Sequence, residues 1–251
     1  MKRLIIAALA LAVTTVGAYA QTIRMGTEGA YEPYNFINDK GEVDGFEREL
    51  GDKLCEIAGY ECTWVKNDWD TIIPNLLSGN YDTIMAGMSI TDERKEKIDF
   101  TQNYFPPAAS AYVALANADD SVIEGNVAAQ VNTIQAGYIA QSKATLVEFA
   151  IADETVAAVR NGEADAVFAD KDYLTPLVEA SNGELKFVGE DVPLGGGVGM
   201  GLRKSDTEMK DKFNAAITKL KEDGSLEAMI RKWFKPEEGG NLDKALKAWK
   251  S

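Results

Sequence analysis

Residues 69–94 read Trp69-Asp70-Thr71-Ile72-Ile73-Pro74-Asn75-Leu76-Leu77-Ser78-Gly79-Asn80-Tyr81-Asp82-Thr83-Ile84-Met85-Ala86-Gly87-Met88-Ser89-Ile90-Thr91-Asp92-Glu93-Arg94. Trp69, Ile72, Ile73, Leu76 and Leu77 fall on one face at helical spacing. Ser78-Gly79-Asn80 is a helix stop. Tyr81 to Ala86 is a short apolar run of the kind buried inside a sheet, and Gly87 closes it. The unit is helix, glycine stop, short strand, polar loop. A second unit of this kind follows. Val156 and Val159 share a face within Thr155 to Arg160, Asn161-Gly162 stops that helix, and Ala164 to Ala169 is a strand ending at Asp170. Asp82 and Asp165 stand at matching places, each early in its strand. This weak similarity, not a short tandem repeat, suggests two lobes on one plan. Helices alternating with short apolar strands predict an α/β class with mostly parallel sheets.

Outward from this pair, Thr22 to Thr27 predicts a strand and Glu28 to Tyr34 a loop. Phe46 to Ala58 predicts a helix with Phe46, Leu50, Leu54 and Ile57 on one face and Gly59 at its end. Cys62 to Val65 predicts a short strand. Ala108 to Ala116 is extended, and Asp191 to Met200 holds Pro193 and four glycines. Both stretches suit crossings between lobes. Lobe one is then residues 21–107 plus 199–234, and lobe two is residues 108–198. A single α/β domain with a glycine-rich loop is the alternative. Phe213, Ile217 and Leu220 mark one amphipathic helix and Leu226 to Trp233 another. Residues 235–251 turn to Lys, Pro, Glu and Gly; Ala245 to Trp249 suits a small helix, within a tail expected to be mobile.

At the other end, Lys2 and Arg3 precede an apolar run, Leu4 to Val13, and Ala18-Tyr19-Ala20 is a small-x-small cleavage site. That pattern is a secretory signal peptide over residues 1–20, too short for a membrane span, and predicts a soluble periplasmic protein starting at Gln21. Without Lys2 and Arg3, 24 basic side chains face 40 acidic ones, and no stripe concentrates Lys or Arg. Nucleic acid and anionic membrane are poor partners for such a chain. Export favours a disulfide between Cys55 and Cys62; two reduced core thiols remain open. Zinc is disfavoured by two cysteines without a histidine.

The absence of histidine removes the usual neutral-pH base and every triad or metal cluster that uses one. Ser or Lys nucleophiles and carboxylate pairs remain. Gly195-Gly196-Gly197-x-Gly199 lacks the order and helix context of a phosphate loop. Binding chemistry is better supplied. An amino acid brings a carboxylate that suits arginine and helix-start donors, an ammonium that suits a carboxylate, and a side chain that suits aromatic rings. Arg94 follows the buried strand and points into a crevice or pairs with Asp92 or Glu93. Asp170 ends a lobe-two strand as a ligand or as a helix N-cap. Thr133, before the helix predicted over Gln135 to Ser142, has the same two readings. Tyr31, Tyr34 and Trp69 stack on a ligand or pack in the core.

As a set, these segments resemble the polar amino-acid substrate-binding proteins of ABC importers, which include histidine and lysine/arginine/ornithine receptors. The resemblance rests on Gly26-Thr27-Glu28 with Tyr31-x-Pro33-Tyr34, Gly41 to Phe46, Trp69-Asp70-x-Ile72-Ile73-Pro74, Tyr81 to Arg94, Phe100-Thr101, Asp170 and Leu226 to Phe234. It spans nearly all of the chain after the signal peptide. It implies a type II periplasmic-binding fold with two hinge strands and a cleft between lobes, acting as a monomer with an inner-membrane ABC permease and without cofactor. Arg94 is implied to clamp the ligand carboxylate and Asp170 the ammonium. Gly87, Ser89 and Thr133 are implied to meet the ligand's main-chain groups, while Tyr31 and Trp69 flank its side chain. Glu28 and Glu47 stand where receptors for basic amino acids carry aspartates that reach the side chain; Glu47 also suits the dipole of a helix start. Cys55 and Cys62 match the spacing of that branch's disulfide. Tyr34 stands where an opine-binding branch tends to have tryptophan, so an opine-like ligand stays open. Asn132-Thr133-Ile134 departs from the usual Gly-Thr-Thr, and Ala86 replaces a serine. Asn132 tolerates a left-handed turn. A dehydratase of the same fold and a ligand-sensing module are the rival functions; a receptor, not an enzyme, is the expectation.

Overall fold

The computed structural model describes residues 21–249; the signal peptide expected over residues 1–20 lies outside the described residues, as do the last two positions. The chain starts with β1 (Gln21–Thr27), a small sheet of β2 (Ala30–Tyr31), β3 (Asn35–Ile37) and β4 (Val43–Asp44), and α1 (Phe46–Ala58). Then come β5 (Tyr60–Lys66), α2 (Ile72–Leu77), β6 (Thr83–Ile84), α3 (Asp92–Lys97) and β7 (Asp99–Phe105). The second lobe holds β8 (Ala109–Leu115), β9 (Asn126–Gln130), α4 (Ile134–Ile139), β10 (Thr145–Phe149), α5 (Ala152–Asn161), β11 (Ala166–Asp170), α6 (Lys171–Ala180) and β12 (Leu185–Pro193). The chain returns through β13 (Val198–Leu202) and ends in α7 (Thr207–Glu222), α8 (Ser225–Phe234) and α9 (Asn241–Trp249).

The lobe-one sheet runs β5-β1-β6-β13-β7 and the lobe-two sheet β10-β9-β11-β8-β12. This is the type II periplasmic-binding arrangement. Each sheet is mixed, unlike the mostly parallel expectation. β1 lies parallel to β5 and β6, and β9 parallel to β10 and β11, but the strands next to each crossing pair antiparallel. The cause is topological. A strand that brings the chain in from the other lobe enters its sheet against the direction set by the helix-strand units. The chain passes to the second sheet between Phe105 and Ala109 and back between Pro193 and Val198.

The two related units carry the same local clamp. In lobe one, Arg24 N–H donates to Asp82 Oδ2 at 3.0 Å while Asp82 N–H donates to the Arg24 carbonyl at 2.8 Å. In lobe two, Asn126 N–H donates to Asp165 Oδ2 at 2.7 Å while Asp165 N–H donates to the Asn126 carbonyl at 2.8 Å. Each aspartate thus ties the start of its strand to the neighbouring parallel strand. The helix-stop glycines of the two units, Gly79 and Gly162, both take the left-handed conformation, at φ of 80° and 75°, that glycine adopts at low steric cost.

Packing departs from the helical-face reading at Leu77. Trp69 opens a 3-10 turn ahead of α2, so the face rotates; Ile72 and Leu76 are buried while Leu77 is 49% exposed. Cys55 in α1 is disulfide-bonded to Cys62 in β5. The tail is not free of the fold. Leu242 and Leu246, one helical turn apart, bury themselves in the main core, and Asp243 pairs with Arg231 and Lys247. Among the described residues no helix is long and apolar enough to cross a membrane.

Candidate functional site

The parallel strands β1, β6, β9 and β11 aim their carboxyl ends at the cleft, where open α/β sheets leave backbone ends and loops for a ligand. Glu28 follows β1, Ala86, Gly87 and Ser89 follow β6, Gln130 ends β9, and Asp170 ends β11. These residues, with Tyr31, Trp69, Arg94, Thr133, Ile134 and Gln135, line a small cavity between the lobes.

Arg94 stands with its guanidinium 5.3 Å from the Trp69 ring centre, a cation over an aromatic face. Nη1 donates to the Ser89 carbonyl at 2.8 Å, and Nη2 reaches across to the Asn132 carbonyl at 3.2 Å. Burial lowers its pKa to about 10, and the negative charge of Asp170 opposes that shift. Among the described residues Arg94 forms no ion pair with Asp92 or Glu93; Lys95 takes Asp92. Asn132 holds the left-handed φ of 58° that lets its carbonyl face Arg94.

Asp170 stands at the N-cap position of α6, but its side chain makes no capping bond there. Its Oδ2 accepts from the Tyr31 hydroxyl at 2.8 Å and its Oδ1 from Gln135 Nε2 at 2.8 Å. Burial raises its pKa, against the pull of the Tyr31 bond and the Arg94 charge. Tyr31 also stacks on Tyr173 of α6, ring centres 4.3 Å apart, so this aromatic pair spans the lobes. Thr133 does cap α4, accepting from Ala136 N–H at 3.1 Å, and lines the cavity as well. Glu28 is 4% exposed and accepts from Gln130 Nε2 at 2.6 Å; burial drives its pKa up to about 7.

Two expected ligand contacts lie elsewhere. Tyr34 is 2% exposed and packs against Phe46, Phe105 and Phe234, because its loop folds back onto α1 and α8. Glu47 is fully buried beneath the cleft. Its Oε1 accepts from Gly87 N–H at 2.8 Å and, in a short bond, from the Tyr104 hydroxyl, and its Oε2 accepts from Asn35 Nδ2 at 2.7 Å. The carboxylate is held in this ring of donors and is not among the groups that line the cavity. Gly87 thereby spends its N–H inward. Its φ of 63° suits glycine, and a Cβ there would stand 3.3 Å from the Tyr31 ring.

Gln130 and Gln135 were not singled out as contacts from the sequence. The signal was present for Gln130. It ends the apolar run Val127-Ala128-Ala129 as Asp170 ends Val167-Phe168-Ala169. Among the described residues no cluster of three or more His, Cys, Asp or Glu is placed to hold a metal.

Two lobes, two crossings and a polar cavity at their strand ends are the architecture of a solute-binding protein. Residues 23–236 match the bacterial extracellular solute-binding proteins, family 3, and the chain belongs to that family. A periplasmic His/Glu/Gln/Arg/opine family-binding protein from Silicibacter pomeroyi, solved in complex with lysine, is 74% identical, covers 84% of this chain and 96% of its own, and superposes with a TM-score of 0.83. The L-arginine-binding protein of Pseudomonas aeruginosa (strain PAO1) is 32% identical over 257 residues, 93% of this chain and 97% of its own. An ancestral amino-acid-binding protein, a precursor of cyclohexadienyl dehydratase, is 30% identical with a TM-score of 0.75, covering 85% of this chain and 95% of its own.

Proposed function

We propose that the chain is the periplasmic receptor of an ABC importer for an L-amino acid with a cationic side chain. The observation that carries this is the charge of the cavity: one guanidinium, Arg94, and two carboxylates, Asp170 and Glu28. A zwitterion with a positive tail neutralises that set, its carboxylate on Arg94, its ammonium on Asp170 and its tail toward Glu28. The lysine complex of the 74% identical protein and the arginine-binding relative support the same ligand class. Lobe one holds Arg94, Trp69, Tyr31 and Glu28, and lobe two adds Thr133 and Asp170. A ligand that touches both sets favours the closed cleft over an open one, and the closed form is the one offered to the permease.

Arg94→Ala tests the site. Calorimetry with lysine and arginine is expected to show binding largely abolished, and unchanged affinity would sink the assignment. Mass spectrometry of ligand released from gently purified, denatured protein identifies the side chain. A second reading, an opine-like ligand, is favoured by the groove that continues outward from the cavity past Trp69, Arg94, Thr133 and Ile134. The released mass separates the two.

A further inference from the structure

Gln130 is 7% exposed at the cavity wall and bonds across the cleft. Its Nε2 donates to Glu28 Oε1 at 2.6 Å and to the Ala150 carbonyl at 3.0 Å. A carbonyl oxygen and an ionised carboxylate only accept, so the orientation of the amide follows from its partners; the flipped amide would set its oxygen against both. A primary amide has two N–H groups, and both are spent. What the side chain has left for a ligand is the acceptor Oε1. Glu28 beside it, when ionised, is an acceptor as well. Around this pair, Asp153 and Asp68 add negative potential and Lys66 subtracts from it.

We infer that Gln130 is a specificity-determining residue: with Glu28 it builds an acceptor-only subsite for the ligand's side-chain terminus. This rests on the amino-acid receptor reading and names the class more narrowly. Termini that carry N–H donors, an ammonium, a guanidinium or a carboxamide, are taken. Above about pH 7, where Glu28 is ionised, a carboxylate terminus finds no free donor on Gln130 or Glu28 and is repelled, which is discrimination by an unpaired charge. Because the bond from Gln130 to Glu28 joins lobe two to lobe one, reading the terminus and closing the cleft are one event.

The test uses the mature protein, Gln130→Met, which keeps the length without polar atoms, and Gln130→Lys, which supplies donors. Affinities for lysine, norleucine (the lysine chain without its ammonium), glutamine and glutamate are measured by calorimetry, the weak ones by displacement of lysine. In the wild type, glutamine should bind at least about tenfold more tightly than glutamate, the scale of one charge-assisted hydrogen bond. Q130M should lower the ratio of lysine to norleucine affinity by about tenfold or more. Q130K should raise glutamate relative to lysine. A Q130M ratio within about threefold of wild type overturns the inference, since Gln130 would then serve closure alone. So does a wild type that takes glutamate as tightly as glutamine. Either result leaves the receptor reading standing. A wild type that binds no amino acid overturns that reading and this inference with it.

Discussion

Replacing Glu47 by Gln removes one charge and exchanges one oxygen for NH₂ at a fully buried site. The carboxylate accepts from three donors, Gly87 N–H, the Tyr104 hydroxyl and Asn35 Nδ2. If the amide nitrogen faces Asn35, two NH₂ groups oppose each other. Asn35 cannot turn to relieve this, because its Oδ1 accepts from Gly29 N–H at 2.7 Å. If the amide nitrogen faces the other way, it meets Gly87 N–H. Either orientation leaves a buried donor unsatisfied, at about 1–3 kcal/mol, and replaces charge-assisted bonds by neutral ones, at about 1 kcal/mol more. E47Q should therefore lose about 2–4 kcal/mol of stability in urea denaturation followed by tryptophan fluorescence. The loops that shift carry Gly87 and Glu28, so affinity should fall for lysine, arginine and glutamine together. Stability within about 0.5 kcal/mol of wild type would refute the network. Loss confined to lysine and arginine would instead show that Glu47 meets the ligand tail.

Two further outcomes follow from burial. The folded-state pKa of Glu28 lies near 7 against an ordinary 4.5, mainly through desolvation. The native protein therefore keeps a proton that the unfolded chain has lost, and its stability should fall as pH rises from about 4.5 to about 7 and change no further above that. Glu28→Gln should flatten that slope, shifting the wild-type-to-variant difference across the window by up to about 3 kcal/mol; parallel pH profiles of urea unfolding would contradict it. Truncation after Lys235 removes the buried Leu242 and Leu246. It should cost about 3 kcal/mol in the same assay, and a loss under about 0.5 kcal/mol would mean that α9 adds nothing to the core.

Much of the site was legible because of where its residues stand. Glu28 follows β1, Asp170 ends β11 and Arg94 lies in α3 past the loop after β6, and strand ends with their loops are where this architecture leaves side chains facing a crevice. Glu47 was read differently because its partners come from afar. Nothing near an acid at a helix start announces that Tyr104, on another strand, will supply a hydroxyl. Tyr34 was ambiguous for the same reason, since Phe105 and Phe234 are distant in the chain. Gln130 was overlooked because a glutamine after an apolar run has no charge to draw notice. The mixed sheets were hidden because periodicity reports burial, not strand direction. In the tail, the small helix expected over Ala245 to Trp249 forms over Asn241–Trp249, and its packing on the core turns on Leu242 and Leu246, which stand at helical spacing.

At the crossings, Ala109 pairs with Pro193 on one side, and Phe105 pairs with Val198 on the other. The second lobe thus enters and leaves the first through two adjacent doorways, which makes residues 109–193 a transplantable insert. Exchanging this one uninterrupted stretch between relatives would move Gln130, Thr133 and Asp170 together while leaving Arg94 and Glu28 in the host. A graft of that kind would turn half of the proposed recognition code into a single cassette.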